Sequence, residues 1–401
     1  MNGDIGQLFE NFLKKESLFD DKKVLQSNYT PDDVPHREEQ IEQIAKILAP
    51  ILKLNKPSNI FIYGKTGTGK TLSVKHTTNR INKIADELQL PIKIIYINCK
   101  LKKIADTEYR LIAQIVREFG KEIPATGLPT DEVYKIFFNT MNSKKQLILL
   151  ILDEIDQLVK KTGDEILYNL TRINSEAKES QMSIIGISND LVFTDTLDPR
   201  IKSSLSEEEI IFKPYDALQI QDILLQRAKN AFKKEAICSG VIEKCSAYAA
   251  REHGDARRAL ELLRVAGELA ERENSKKLEI RHLDEAEEKV ERDRIVDIVI
   301  TQPKQFQAVL YSMILLSSGK KTIIETGEIY NLYKKICAET KMRSLTQRRV
   351  SDVVSELDML GIINAVTISK GRYGRTREIS MSITPESEIK IKSILEKDLG
   401  Y

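Results

Sequence analysis

The sequence predicts an α/β chain in three domains: a core built on a parallel sheet covered by helices, an all-helical second domain, and a C-terminal winged helix. Three observations predict it. Short, continuous apolar runs alternate with helix-period stretches as far as residue 213. No strand-like run follows between Asp216 and about Val299. Beyond Thr301, three helical stretches precede two strand-like runs joined by a Gly/Arg-rich turn, the order of a winged helix-turn-helix.

After a polar N-terminal arm, residues 1–34, the first predicted element is a helix. Between Pro35 and Leu54 the apolar residues Ile41, Ile44, Ala45, Leu48, Ile51 and Leu52 recur at helical spacing. Strands are predicted at 59–63 (NIFIY), 92–97 (IKIIYI), 147–152 (LILLIL), 183–187 (SIIGI) and 209–212 (EIIF). Such runs lack the polar alternation of a half-exposed strand, so helices must cover both faces of the sheet. Pro214 and Tyr215 end this core, giving expected domains of 35–213, 214–300 and 301–401. In the last domain helices are predicted near 303–317, 326–340 and 346–360, then the strands IINAVTIS and REISMSI around a turn at 371–375. No internal repeat or low-complexity segment interrupts the pattern.

The 401 residues leave room for two or three domains, and 41% hydrophobic with 30% charged residues is the composition of a globular chain. The longest purely apolar run, Leu147 to Leu152, is far short of the roughly 18 residues that a membrane helix needs. The N-terminus lacks a basic stretch followed by an apolar core, so an intracellular, soluble chain with no membrane partner is expected. Cys99, Cys238, Cys245 and Cys337 are scattered, with no CxxC pair, which excludes a zinc ribbon or disulfide framework and predicts four buried thiols. The net charge of +2 conceals an asymmetry. Lys341 to Arg377 carries eight basic and three acidic residues, a local +5, which leaves the remainder near −3. That imbalance points to a polyanion as partner of the C-terminal domain.

Gly64-Lys65-Thr66-Gly67-Thr68-Gly69-Lys70-Thr71 fits GxxxxGK[ST] between a predicted strand and a predicted helix. Glycines let backbone N–H groups wrap a phosphate chain, and the helix N-terminus adds positive dipole. Lys70 would reach the outer phosphates and Thr71 would ligate Mg2+. ATP or ADP with Mg2+ is therefore the expected cofactor. The run 147–152 ends in Asp153-Glu154. From one strand end, Asp153 would hold the magnesium through water, and Glu154, projecting differently, would polarise an attacking water. SIIGI runs into Ser188-Asn189, where an amide at the strand tip can orient water beside the γ-phosphate. Two arginines are candidates to complete the site: Arg200 in LDPRIKSSL and Arg257 in GDARRAL.

For the C-terminal domain, duplex DNA requires cations for phosphates and a narrow element for a groove. The helix beginning near Leu345 places Thr346, Gln347, Arg348 and Arg349 in its first turn, where a recognition helix meets bases and phosphates. The hairpin tip adds Arg372, Tyr373 and Arg375 between Gly371 and Gly374, a composition suited to the minor groove.

The Walker A segment at 64–71, LDEID at 152–156, ISND at 187–190, LDPRIKSSL and HGDARRAL, in this order, resemble the AAA+ ATPases. PHREEQ (35–40), the segment 98–134, TQRRVSDVVSELDMLGI and SKGRYGRTREI resemble more narrowly the archaeal initiators related to origin recognition complex subunit one and cell division control protein six, over roughly residues 28–385. The resemblance implies an AAA+ core, a helical lid and a winged helix that mark replication origins and help load the replicative helicase. It implies that Asn189 is sensor one, Arg257 sensor two and Arg200 the arginine finger. Arg258 leaves the sensor-two register ambiguous by one position, and GDxRxxL favours Arg257. It also implies nucleotide contacts from Tyr215 and Arg227, and a place on the adenine side for Pro35, His36 and Arg37, with Val34, Tyr215 and Ile223 as candidate apolar surface. A helical insertion at about 101–127 would add DNA contacts from Lys100, Lys102, Lys103 and Arg110.

Three functions stay open on this reading: an ATP-switched, sequence-specific replication initiator, a clamp- or helicase-loader-type ATPase with nonspecific DNA contact, and a winged-helix transcription regulator with a structural nucleotide. The first is favoured, because a recognition helix and wing suit specific DNA and a static ligand site has no need of Glu154. Its expected partners are double-stranded origin DNA, the replicative helicase and other initiator paralogues, in the cytoplasm at the nucleoid.

Overall fold

A computed structural model describes residues 16–401, except 27–28, 32, 101–104, 106, 125–126, 176, 178, 194–196, 206, 252–253, 318–323, 370–374 and 384. The side chains of 204, 294, 367–369, 375–376 and 386 also lie outside the description. The chain forms two compact units, one up to Leu283 and the other from Asp284.

In the first unit, α1 (Glu38–Leu48) precedes β1 (Ile60–Gly64), α2 (Lys70–Glu87) and β2 (Ile92–Asn98). Then come α3 (Glu108–Glu118), α4 (Thr130–Met141), β3 (Gln146–Asp153), α5 (Ile155–Thr162), α6 (Glu165–Arg172), β4 (Ser180–Ser188), α7 (Pro199–Leu205) and β5 (Glu208–Phe212). The five strands form one sheet of order β2-β3-β4-β1-β5, with every pairing parallel. All of β3 is buried. Its residues Ile148, Leu150 and Leu152 join a core with α3 to α6, while Leu147, Leu149 and Ile151 join one with α1 and α2. A continuous apolar run is what a strand covered on both faces requires.

The first helix is shorter than its apolar spacing predicts. His36 has φ +62°, so α1 starts at Glu38, and the segment Ala49–Lys53 is 3₁₀. Pro50 has no N–H for an α-helical bond, which ends α1 at Leu48.

The lid helices are α8 (Ala217–Ala231), α9 (Val241–Arg251) and α10 (Ala256–Arg272). Asp216 and Gln219 form a reciprocal capping box that starts α8 just beyond the last core strand. The N-terminal arm is not simply a solvated tail. Leu18, Phe19, Val24 and Leu25 are buried, the Phe19 and Phe232 rings pack with a 33° tilt and centroids 4.5 Å apart, and Asp20 N donates to Ala231 O at 2.9 Å. Gly267 leaves room for the Phe19 ring, because a Cβ there would stand 2.5 Å from Phe19 Cζ. Phe19→Ala is expected to destabilise this unit by about 3 kcal/mol. An unchanged denaturation midpoint would show that the arm adds no stability.

α11 (Ile280–Thr301) leads to the second unit, which contains α12 (Lys304–Ser317), β6 (Ile324–Glu325), α13 (Thr326–Glu339), α14 (Gln347–Met359), β7 (Ile363–Ser369), β8 (Arg375–Met381) and α15 (Pro385–Leu399). The hairpin is accompanied by a third strand, giving an antiparallel sheet of order β6-β8-β7. Val350, Val354 and Leu357 seat one stripe of α14 on a core with Val309, Met313, Ile329 and Tyr333. Tyr333 fixes the turn before α14: its hydroxyl accepts from Leu345 N at 2.9 Å and donates to Gln305 Oε1. Of the four thiols, Cys99, Cys245 and Cys337 are buried, whereas Cys238, in the turn before α9 rather than on a core-facing helix or strand, is half-buried. Among the described residues no helix is long and apolar enough to cross a membrane.

Candidate nucleotide site and nucleic-acid interface

Parallel packing brings the carboxyl ends of β1, β3 and β4 to one edge of the sheet, where open α/β sheets hold ligands. A cavity of about 550 Å³ opens there. Its walls include Gly67 to Thr71, Asp153, Glu154, Asn189 and, from the lid side, Tyr215, Ile223, Arg227 and Arg257. Val34 and Pro35 line it as well, with Gln26, Tyr29 and Asp33 of the arm.

Lys70 begins α2 and is buried. Its Nζ donates to Gly64 O at 2.7 Å, Lys65 O at 2.8 Å and Asn189 Oδ1 at 2.8 Å. Burial lowers its pKa to about 8, Asp153 opposing the shift and Arg257 adding to it. The shift is a desolvation effect: the ammonium has acceptors on three sides but little access to water. Gly67 and Gly69 have φ of +74° and +86°, which lets the loop turn beneath the helix terminus.

Asp153 is also buried, and its two oxygens divide their partners. Oδ1 accepts from Glu154 N at 3.0 Å, while Oδ2 accepts from Thr71 Oγ1 at 2.9 Å and Tyr96 Oη at 2.6 Å. A hydroxyl and a carboxylate brought together on hard oxygen atoms fit Mg2+ bound to phosphates. Glu154 stands in the left-handed region with φ +56° and lines the cavity beside Asp153, and Lys100 Nζ lies 3.6 Å from its Oε2.

The lid reaches the phosphate loop directly. Ala256 N donates to Gly67 O at 3.3 Å, and Asp255, which caps α10, stands so close that a Cβ on Gly67 would lie 1.7 Å from its Oδ1. Arg257 lines the cavity and Arg258 does not, and α10 begins one residue before Arg257.

Several other predicted residues, Arg227 apart, lie off the cavity. Arg37 is buried behind the loop, with Nε donating to Thr68 O at 2.8 Å, Nη2 to Lys213 O at 2.6 Å, and its guanidinium 3.8 Å from the Tyr215 ring centroid. Burial lowers its pKa. Neither Arg37, Gly64 nor Thr66 lines the cavity. Arg227 stands 4.7 Å from the Tyr29 ring and donates to Val24 O at 3.5 Å, so arm and lid share that wall. Arg200 is exposed, does not line the cavity, and forms a two-point pair with Asp198 at 3.0 Å per bond. Sequence reasoning missed Tyr96, Lys75 and Asp255. The available signals were position: Tyr96 precedes Asn98 by one strand repeat, Lys75 follows Thr71 by one helical turn, and Asp255 directly precedes a predicted helix.

In the second unit Thr346 caps α14, its Oγ1 accepting from Arg349 N at 3.5 Å. Thr346, Gln347, Arg348 and Arg349 are all exposed. Arg377 on β8 instead donates to Ser351 O at 3.3 Å and Ser355 Oγ at 2.7 Å, holding the hairpin against this helix. Arg372 and Tyr373 lie outside the described residues, as does the Arg375 side chain. In the predicted insertion, Lys102 and Lys103 lie outside them too, whereas Arg110 is half-buried on α3, a helix whose Leu111, Ile112, Ala113, Ile115 and Val116 belong to the core.

Comparison with known proteins matches these units in the same order. The family described as an AAA domain matches residues 54–191, the Cdc6 AAA+ ATPase-type lid domain 221–288, and the CDC6 C-terminal winged helix domain 297–390. The ORC1-type DNA replication protein of Pyrococcus horikoshii is 51% identical over 398 residues, covering 98% of this chain and 94% of that one. ORC1-type DNA replication protein 1 of Methanosarcina acetivorans is 52% identical over 388 residues, covering 96% and 92%. The Aeropyrum pernix ORC1 protein, solved in complex with DNA, is 41% identical, with a TM-score of 0.83 over 96% of this chain and 98% of that one. A phosphate loop tied to a helical lid, a winged helix on the same chain, and half the sequence shared end to end place this protein in the family of ORC1-type DNA replication proteins.

Proposed function

We propose that this chain is an ATP-dependent DNA replication initiator. It binds origin DNA sequence-specifically through the winged helix, helps recruit or load the replicative helicase, and uses slow ATP hydrolysis as a conformational switch. The domain division is 35–213, 214–300 and 301–401, behind an arm of 1–34. Its partners are duplex DNA at origins, the helicase and other initiator paralogues, and its place is the cytoplasm at the nucleoid. The observation that carries the reading is the bond from the lid to the phosphate loop, Ala256 N to Gly67 O, because it gives nucleotide a way to set the lid. The likeness to an ORC1 protein solved on DNA supports the other half.

On this reading Lys70 turns from Asn189 and the loop carbonyls to the outer phosphates. Thr71 and Asp153 hold Mg2+, which when bound neutralises phosphate charge. Glu154 takes the proton of an attacking water that Asn189 orients, and Arg257 answers charge on the phosphates from the lid. Val34, Pro35, Tyr215 and Ile223 offer the base a largely apolar wall beside Arg227. Arg37 acts from behind, through Thr68 and Tyr215. Arg200 lies outside its own cavity and would serve the nucleotide of a neighbouring molecule.

Sequencing the genomic fragments retained by the purified protein tests the function. Origin-proximal repeats are expected. Promoters would favour a regulator, and no enrichment a loader with nonspecific contact. The surface is tested by binding isotherms on cognate and scrambled duplex at several salt concentrations. Arg348→Ala, on the recognition helix, is expected to cost about 1–3 kcal/mol on the cognate duplex and much less on the scrambled one. Arg375→Ala, on the wing, is expected to weaken both and to reduce the salt slope by about one. Wild-type affinity in both variants would make residues 341–377 a solvated face.

A further inference from the structure

Tyr96 has no part in the sequence motifs, yet it occupies the strongest position on the Asp153 carboxylate. β2 pairs with β3 so that Asn98 stands beside Asp153 and Tyr96 beside Ile151. One strand repeat separates Tyr96 from Asn98, so both face the cavity, and both line it. The Tyr96 hydroxyl donates to Asp153 Oδ2 at 2.6 Å, the shortest of that carboxylate's three bonds. The same oxygen accepts from Thr71 Oγ1 at 2.9 Å, so Oδ2 has a donor from β2 and a donor from α2.

The ring is held as firmly as the hydroxyl. Lys75, one helical turn beyond Thr71, places its Nζ 4.3 Å from the Tyr96 ring centroid. Burial, and then the charge of Asp153, raise the phenol pKa far above its ordinary value, so Tyr96 is a neutral donor at any physiological pH. Two donors on one carboxylate oxygen, with the other oxygen tied to Glu154 N, fix both the torsion and the plane of the group. Residues that hold a metal-binding carboxylate in this way ordinarily set metal affinity by 10- to 100-fold.

We propose that Tyr96 is the positioning residue of the magnesium site: its hydroxyl, acting with Thr71, locks the Asp153 carboxylate in the orientation that a magnesium-nucleotide complex requires. This rests on the reading of the cavity as a nucleotide site. Thr71 belongs to the phosphate loop and responds to whatever binds there. Tyr96 stands on the sheet, and its bond to Asp153 keeps the carboxylate in place while Thr71 responds.

The test uses Mn2+ as a paramagnetic probe, titrated into the full chain saturated with ADP and followed by the electron paramagnetic resonance signal of the free ion. Tyr96→Phe keeps the ring and its cation contact and removes only the hydroxyl. Its Mn2+ affinity is expected to fall about tenfold or more. In an Asp153→Asn background the same substitution is expected to change Mn2+ affinity less than twofold, because the effect passes through that carboxylate. Mn2+ affinity within twofold of wild type in Tyr96→Phe, or an equal loss in both backgrounds, would overturn the proposal. Failure of the unaltered chain to bind ADP would overturn the nucleotide reading instead, and calorimetry without metal separates the two.

Discussion

Lys70→Ala is expected to lose nucleotide binding almost entirely. The side chain is buried, and its three acceptors, Gly64 O, Lys65 O and Asn189 Oδ1, hold it at the mouth of the phosphate loop. Leaving phosphate without its buried cation costs about 3–5 kcal/mol, so the dissociation constant is expected to rise roughly 100-fold to several thousand-fold. Isothermal calorimetry with ADP and ATP measures it, and an unchanged affinity would remove Lys70 from the site. A pH dependence follows from the same residue. With its pKa lowered to about 8 by burial, the ammonium is only partly formed above that pH. Phosphate raises the value, so binding above pH 8 takes up a proton and affinity falls as pH increases, by at most tenfold per unit. Below pH 7 the lysine is already charged, and its contribution to the slope vanishes. Heats measured at pH 8.5 in two buffers of different ionisation enthalpy are expected to differ, and identical heats would contradict the linkage.

The next largest effect is expected on turnover. Glu154→Gln keeps the shape of the side chain and removes its basicity, so ATP binds with nearly wild-type affinity while single-turnover hydrolysis slows by about 10²- to 10⁴-fold. Glu154 lines the same cavity as Asp153 from a backbone turn at φ +56°, so on the proposed reading two carboxylates at one strand end serve two roles. A wild-type single-turnover rate in the variant would require another base.

The parts of this site that announce themselves in the sequence are those whose chemistry is local. The phosphate loop has its glycines and lysine within eight residues, and β3 is legible because a strand buried on both faces has no polar alternation. What the residues alone did not yield is long-range. Tyr96 within IKIIYI reads as one more apolar strand residue until β3 is laid beside it. Leu18, Phe19, Val24 and Leu25 look scattered in a polar segment because the surface that buries them lies more than 200 residues away, on α8 and α10. β6 has two residues, too few to form a pattern. The resemblance, rather than spacing, supplied Tyr215 and Arg227, whose roles depend on how a lid meets a core. Spacing left Arg257 and Arg258 adjacent candidates, and only the helix start at Ala256 assigns one of them to the cavity.

The arm also changes how the lid is attached. Residues 18–25 belong to the lid by packing, yet the chain then crosses to the core at Pro35 and returns to the lid between Lys213 and Asp216. The lid is therefore hung on two covalent crossings instead of one, and Arg37 on the first donates to Lys213 O on the second. His36, beside it, reaches Asp222 of α8 at 2.9 Å. A body joined at two stitched points is more constrained than one on a single tether, because displacing it must strain both crossings or break the bonds between them. Cutting the chain between Gln26 and Pro35 would leave the phosphate loop, Asp153 and Glu154 covalently untouched and still reduce the covalent crossings from two to one. On the proposed reading, a chain cut there would still bind nucleotide but couple it less tightly to the lid.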